Sequence, residues 1–442
     1  MVRGHEATLF CFVDMKLPLF LAFYSLRGER LRIDYKGGGV CMRVWPAKGV
    51  EVGYRLEKMG AEAEPFPSSN NYSYDNRDGE VKVNVEADAD APLILGLQPA
   101  ALVDHVARVD WSFLHKIPGD RGGSIPVAIE ELELMVSELR THILASPDDP
   151  FSTKTMAGGS IANTMRELSA GFGISSGIIG AYGDDEQGQL FVRNMTSNGV
   201  NLSRLRMKKG RTGQCVCLID ELGTRTMRPC LSNAVKVQAD DLTREDFKGS
   251  KWLSLRYAVF NLEVIWEAIK IAKQEGLYVS LDLASFEMVR NFKLPLLELL
   301  ESGNIDLCFA NEDEAKELLR GKENADPEIA LEFLAKHCQW AVVTLGPNGC
   351  IAKHGKEVVR VPAIGETKAI DATGAGDLFA SGFLYGLVKG LSLEECCKVG
   401  SCSGGSVIRS LGGETTPENW QWMFKQMHIN SLPVLDRHKQ SP

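Results

Sequence analysis

The sequence predicts an α/β fold: a mostly parallel sheet covered by helices on both faces, with a β-hairpin in addition. Three observations predict it. Short aliphatic runs at 257–260, 278–285, 305–310 and 340–346 are separated by helical patterns such as 263–274, and strands alternating with helices build parallel sheets buried on both sides. Polar and glycine-bearing motifs follow directly on these runs, at the strand ends where open α/β sheets gather their ligands. Residues 212–229 instead alternate apolar and polar on both sides of Asp220-Glu-Leu-Gly223, the pattern of a β-hairpin, for which a plain edge hairpin is one reading.

Composition bounds the class. The chain has 442 residues, 44% hydrophobic and 24% charged, ordinary for a globular protein with a large core. A net charge of −9 with no basic block argues against a nucleic-acid partner held by phosphate neutralisation. The eleven cysteines include no Cys-x-x-Cys pair; Cys215 and Cys217 alternate in a strand-like run, and Cys396 adjoins Cys397. Free thiols in an intracellular, reducing compartment are expected. Residues 8–24 are apolar but interrupted by Asp14 and Lys16, too short and too charged for a membrane span. Glu6 and Asp14 fit an organellar presequence poorly, so a cytoplasmic or organellar address stays open. Residues 63–91 are rich in Asn, Ser, Asp, Glu and Pro and read as a solvated linker. The expected division is therefore a leader and linker over 1–91 and a folded domain over 92–435.

Within that domain, 92–109 is dense in aliphatic residues and carries Asp104, which reads as a first buried strand ending at the acid. A carboxylate accepts from two hydroxyls at once and so suits a vicinal diol, though a strand-end Asp also caps turns. At 157–169, Gly158 and Gly159 precede a helix whose Ile161, Met165 and Leu168 recur at three- and four-residue spacing. The glycines allow a ligand to approach the backbone, and Asn163 offers it a donor and an acceptor; a plain loop is the alternative. Residues 178–191 read as strand, glycine turn and helix, with Asp184 capping the helix from Glu186, and 199–202 as the opening of the next strand. Asn311 and Glu314 directly follow a strand and read, by themselves, as a helix N-terminus with Asn311 as cap and acids on the dipole. Thr344, Gly346 and Gly349 close another strand, as does Asp282.

The most informative stretch is 371–386, Asp-Ala-Thr-Gly-Ala-Gly-Asp-Leu-Phe-Ala-Ser-Gly-Phe-Leu-Tyr-Gly. Gly374, Ala375 and Gly376 leave backbone N–H groups unshielded at the first turn of a helix, where free donors and the positive dipole end bind anions. Asp377 then stands as a base beside an anion hole; by itself Gly-Ala-Gly-Asp also fits a tight loop with an acidic cap. No Gly-x4-Gly-Lys-Ser/Thr loop occurs, which excludes a P-loop nucleotide site.

The 371–386 run resembles the C-terminal signature of the ribokinase-like (pfkB) family of carbohydrate and nucleoside kinases, and 178–191 resembles its N-terminal signature through Gly180, Gly183, Asp184 and Gly188. The resemblance covers about 92–420. It implies a ribokinase-like three-layer α/β/α sandwich in which the 212–229 strands form a lid over the substrate. It further implies that Asp104, Gly158, Gly159 and Asn163 bind the sugar, that Asn311 and Glu314 help hold Mg²⁺, usually through water, and that Thr344, Gly346 and Gly349 cover ATP. Residues 402–413 resemble the segment that closes over adenine, but Ser403-Gly404-Gly405 departs from the Asn- and Ala-rich version that goes with a monovalent cation, so cation dependence is left unassigned. Asp377 is then the catalytic base for a primary hydroxyl, with Gly374, Ala375 and Gly376 as the anion hole. Residues around Phe113 and 117–123 are more similar to the adenosine-kinase-like branch than to fructokinases. The expected activity is ATP-dependent phosphorylation of a sugar or nucleoside by a monomer or homodimer with no nucleic-acid or membrane partner. The alternative is a catalytically silent kinase-fold scaffold or regulatory protein.

Overall fold

The computed structural model describes strands within 30–56 and residues 91–144, 153–231, 234–321, 326–365 and 369–433. The apolar stretch at 8–24 and most of the linker at 63–91 lie outside the described residues. The chain divides into two compact units, Met1–Ala89 and Asp90–Pro442. In the first, strands β1 (Arg30–Lys36), β2 (Gly39–Trp45) and β3 (Val52–Leu56) form an antiparallel sheet in that order. The leader reading did not anticipate these strands.

The second unit is built on two sheets. Its strands are β4 (Ile94–Ala100), β5 (Leu102–Arg108), β6 (Thr153–Gly158), β7 (Ser176–Gly183), β8 (Leu205–Lys208), β9 (Gly213–Ile219) and β10 (Arg225–Cys230). They are followed by β11 (Trp252–Arg256), β12 (Tyr278–Asp282), β13 (Leu307–Asn311), β14 (Trp340–Thr344), β15 (Cys350–His354) and β16 (Glu357–Val361). The nine-stranded sheet runs β16-β15-β14-β13-β12-β11-β4-β7-β8. It is parallel from β14 to β8, and only the two hairpin strands β15 and β16 are antiparallel.

Burial on both faces follows from strand alternation. Along β13, Leu307 and Phe309 enter one core while Cys308 and Ala310 enter the other; along β14, Val342 opposes Ala341 and Val343 in the same way. One core takes the helices Leu262–Gln274, Lys293–Glu301 and Pro327–Leu334, and the other takes Ala375–Val388, Leu393–Val407 and Pro417–Ile429. This is the expected three-layer sandwich.

The structure corrects four local expectations. The run at 92–109 is two strands, not one: the ladder slips between Gln98 and Ala100, Ala101 N–H donates to Ala181 O at 2.7 Å, and the chain crosses into a second sheet. Asp104 therefore lies inside β5 rather than at the end of a central strand. The strand expected at 257–260 is β11, which ends at Arg256; Ser254 sits opposite Gly96 in the ladder, so a polar residue that interrupted the aliphatic pattern belongs to it. The helix Glu186–Ser197 is capped by Asp185, not Asp184, because Asp185 is the residue with extended backbone, and it accepts from Gly188 N at 2.9 Å. Asp184 instead accepts from Gly210 N. Residues 199–202 give only a bridge, Asn201 with Gly177, before β8 begins at Leu205.

The lid is a four-stranded sheet ordered β10-β9-β5-β6. The expected hairpin, β9 with β10, is its outer half. Its inner half is β5, parallel to β9, and β6, antiparallel to β5. By recruiting β5 and β6, the lid carries Asp104 and Gly158 itself.

Candidate active site

Two cavities meet at the N-terminus of Ala375–Val388. The first, about 190 Å³, is lined by Asp104, Gly159, Asn163, Gly374 and Asp377. The second, about 230 Å³, is lined by Thr344, Gly346, Gly349, Ala375, Gly376 and Gly404. The helix start is the wall between them, with Asp377 facing one side and Gly376 the other.

The turn before this helix is held in place by buried bonds. Asp371, fully buried, accepts from Thr373 N and from Gly412 N, each at 2.7 Å. Gly374 takes φ of 80°, a left-handed conformation that favours glycine, and a Cβ there would stand 2.9 Å from Gly413 Cα. Ala375 N–H is spent on Ala372 O at 3.2 Å. That takes Ala375 out of the expected Gly374–Gly376 set of donors, while the N–H groups of Gly374, Gly376 and Asp377 make no such bond to a described residue. The Asp377 carbonyl accepts from Ser381 Oγ at 2.9 Å and Thr164 Oγ1 at 3.1 Å, fixing the backbone that carries the acid.

The Asp377 carboxylate accepts from Asn163 Nδ2 at 2.8 Å, and the Asn163 carbonyl oxygen accepts from Arg166 Nη2 at 2.7 Å. Asn163, expected to offer a ligand a donor and an acceptor, lines the cavity and also engages each end of its amide with protein, which aims the acid. Arg166 is the hub behind it, bonding Ala157 O, Asn194 Oδ1 and Gly413 O as well. It is 2% exposed, a charge that would be costly without this set of acceptors.

Asp104 is 5% exposed and opens on the first cavity. Burial is the main cause that pushes its carboxyl up to about 7, against the pull of Arg166. The two glycines seat it: a Cβ at Gly158 would collide with the Asp104 carboxylate, and one at Gly159, where φ is 96°, would meet the Gln98 amide at 2.5 Å. Gln98 was not anticipated; it donates to Gly158 O at 3.1 Å and accepts from Ala162 N at 2.9 Å, clamping the turn. Arg225 and Arg256, also unanticipated, line this cavity. Arg256 donates to Ser160 Oγ and to Ala284 O. Isolated basic residues on a strand and after a hairpin turn carry no motif, so sequence alone offered no signal for them.

Thr344, Gly346 and Gly349 come together as expected, in the second cavity. There they face Ala363, Ile364 and Phe379. The departure at 403–405 has a packing reason, since a Cβ at Gly404 would stand 2.8 Å from Ala375 O and one at Gly405 would stand 2.7 Å from Ile364 O. Asn311 and Glu314 form a reciprocal cap: Asn311 Oδ1 accepts from Glu314 N at 2.9 Å, and Glu314 Oε2 accepts from Asn311 N at 2.8 Å. Neither lines the two cavities. Burial, and then the neighbouring Asp282 charge, push Glu314 up to about 8, and burial pushes Asp282 up to about 6. Arg256 and Arg225 pull the other way at both acids, and the two carboxyl groups supply the oxygen donors that a hydrated divalent cation takes.

The chain resembles known proteins in sequence and in fold. Residues 129–420 match the profile described as pfkB family carbohydrate kinase. A probable sugar kinase protein from Rhizobium etli CFN 42 superposes with a TM-score of 0.68 at 28% identity, covering 77% of this chain and 99% of that one. The adenosine kinase from Sinorhizobium meliloti gives 0.65 at 30% identity, covering 75% and 98%. Adenosine kinase 2 of Arabidopsis thaliana is 28% identical over 292 residues, 61% of this chain and 82% of that protein. The chain belongs to the pfkB family of carbohydrate kinases and is a kinase of a sugar or nucleoside.

Proposed function

We propose that the protein transfers the γ-phosphoryl group of ATP to a primary hydroxyl of a nucleoside. The observation that carries this reading is the helix start shared by two cavities: a donor bound against Gly376 and an acceptor bound against Asp377 meet at one turn. Asp104 accepts hydrogen bonds from two sugar hydroxyls, and Asp377 takes the proton of the attacking hydroxyl as its oxygen moves in line on phosphorus. The N–H groups of Gly376 and Asp377 stabilise the charge on the moving phosphoryl, where this chemistry gains most. Glu314 and Asp282 would hold Mg²⁺ through water, with Asn311 ordering the turn, and the ion would supply neutralisation of phosphate charge.

A nucleoside rather than a free sugar is supported by the apolar extension of the first cavity, through Pro126, Met227, Pro229, Phe260 and Met288. A sugar leaves such surface uncovered, whereas a base buries it. The 30% identity to an adenosine kinase points the same way. Free buried cysteines among the described residues support residence in a reducing compartment, and no helix among them is long and apolar enough to cross a membrane.

The test is ATP consumption by purified protein with Mg²⁺ across a panel of nucleosides and free sugars. Turnover on a nucleoside with kcat/KM at least about 100-fold above its free sugar is expected if the base occupies the apolar wall. Turnover confined to free sugars contradicts the nucleoside assignment, and ATP binding without turnover on any acceptor favours the silent scaffold.

A further inference from the structure

One cluster at the substrate cavity joins Asp104 to two thiols that phosphoryl transfer does not use. Cys215 and Cys217 lie on the same face of β9, since strand side chains alternate, and the parallel strand β5 sets Asp104 opposite Cys215. The two Sγ atoms are 3.7 Å apart, and both lie with an Asp104 carboxylate oxygen inside a group whose members are all within 4.8 Å. Two thiolates bonded at about 2.3 Å to a tetrahedral zinc stand about 3.8 Å apart. The thiols are already at ligand spacing.

The surroundings suit an ion. Exposure is 2% for Cys215, 0% for Cys217 and 5% for Asp104, and Val106, Ile219 and Leu411 form a dry wall behind the thiols. No described residue donates a hydrogen bond to the Asp104 carboxylate, a buried acceptor left open toward the cluster and the cavity. Cys215 and Asp104 line that cavity, which gives an entry path and a fourth coordination position facing water. Among the described residues, no other His, Cys, Asp or Glu trio meets at this spacing.

We propose that Asp104, Cys215 and Cys217 form a binding site for a thiophilic divalent cation, Zn²⁺ being the best matched, and that its occupation closes the substrate cavity. Thiolate ligands select such an ion over Mg²⁺ or Ca²⁺. Binding breaks two S–H bonds and forms two Zn–S bonds, the two protons leave for solvent through the cavity, and no atom changes oxidation state. An ion on Asp104 removes the acceptor for the sugar hydroxyls, so metal and substrate exclude each other. This exclusion rests on the reading of Asp104 as a substrate ligand; the metal site itself does not.

The test titrates the full-length protein, reduced with a phosphine, with Co²⁺ as a spectroscopic probe and with Zn²⁺ against a chromophoric chelator, beside Cys217→Ser and Cys217→Ala. Cys217 does not line the cavity, so both variants are expected to keep kinase activity. The wild type is expected to bind one ion with thiolate-to-cobalt charge-transfer absorption, and both variants, shown folded by thermal melts, to lose that absorption and bind Zn²⁺ about 100-fold or more weakly. Zn²⁺ inhibition should be relieved by excess acceptor substrate and be absent from both variants. Absence of the absorption in the wild type overturns the proposal, as does equal Zn²⁺ affinity in folded variants. Inhibition that persists in both variants and is relieved by Mg²⁺ assigns the effect to the Mg²⁺ site and overturns it too. The binding readout needs no turnover, so failure of the metal site and failure of the kinase reading are told apart.

Discussion

Asn163 shows how a residue legible as part of a site differs in role from what its chemistry alone suggests. Its amide donates to Asp377 and accepts from Arg166, so it positions the acid proposed as the base. Asn163→Ala should lower kcat about 10- to 100-fold through misplacement of the acid, with a smaller change in KM; steady-state kinetics check it. Asp104 is held in its position by Gly158, and Gly158→Ala drives a methyl group into its carboxylate. The expected result is a KM raised about 10-fold or more with kcat largely kept. Because burial pushes Asp104 up to about 7, and only the ionised form accepts from two hydroxyls, kcat/KM for a neutral substrate should rise as pH rises through about 7. A profile flat from about pH 6 to 8 contradicts that role. The acids and glycines were legible because their residue types admit few tasks. Arg166 and Gln98 were not, since their roles come from acceptors such as Gly413 O and Gly158 O, remote in sequence.

At the scale of elements, the helix Ala375–Val388 was legible in full: glycine turn, acid, then an apolar run that proves buried from Leu378 to Gly386. Its close packing uses glycines, as a Cβ at Gly382 would stand 2.7 Å from Val399 O. At the turn, Gly374→Ala combines a left-handed φ with a clash against Gly413. It should cost about 1–3 kcal/mol of stability and, by tilting the N–H groups of the first turn, most of the activity; denaturant melts and kinetics check the pair. The Asn311–Glu314 element shows the limit of a motif, because the capping box and the cation ligands call for the same residues. Strand ends at Ala100 and Arg256 were misread because a ladder slip and a buried serine leave no periodic trace.

Across the whole molecule, the three-layer core followed from the alternation of aliphatic strands with helices. The composition of the lid did not. Pairing β5 with β9 joins Asp104 to Cys215, and no local pattern announces such a contact. Buried acids also set the pH response. Burial holds Asp104 and Glu167 up to about 7, Asp282 up to about 6 and Glu314 up to about 8. In the unfolded chain these carboxyls lose their protons near pH 4, so across about pH 5 to 8 the folded state binds more protons, and its stability falls as pH rises. The melting temperature without ligands should drop by about 5 °C or more over that window, and Mg²⁺ with ATP should recover part of it. A melting temperature that rises with pH there contradicts the buried charge cluster.

The most direct measurement is kcat and substrate affinity for Asp377→Asn, which keeps the shape and the bond from Asn163 but removes the base. A kcat lowered about 10²- to 10⁴-fold, with the dissociation constants of ATP and acceptor substrate nearly unchanged, is the predicted result. Turnover within a few-fold of the wild type would contradict Asp377 as the group that takes the proton.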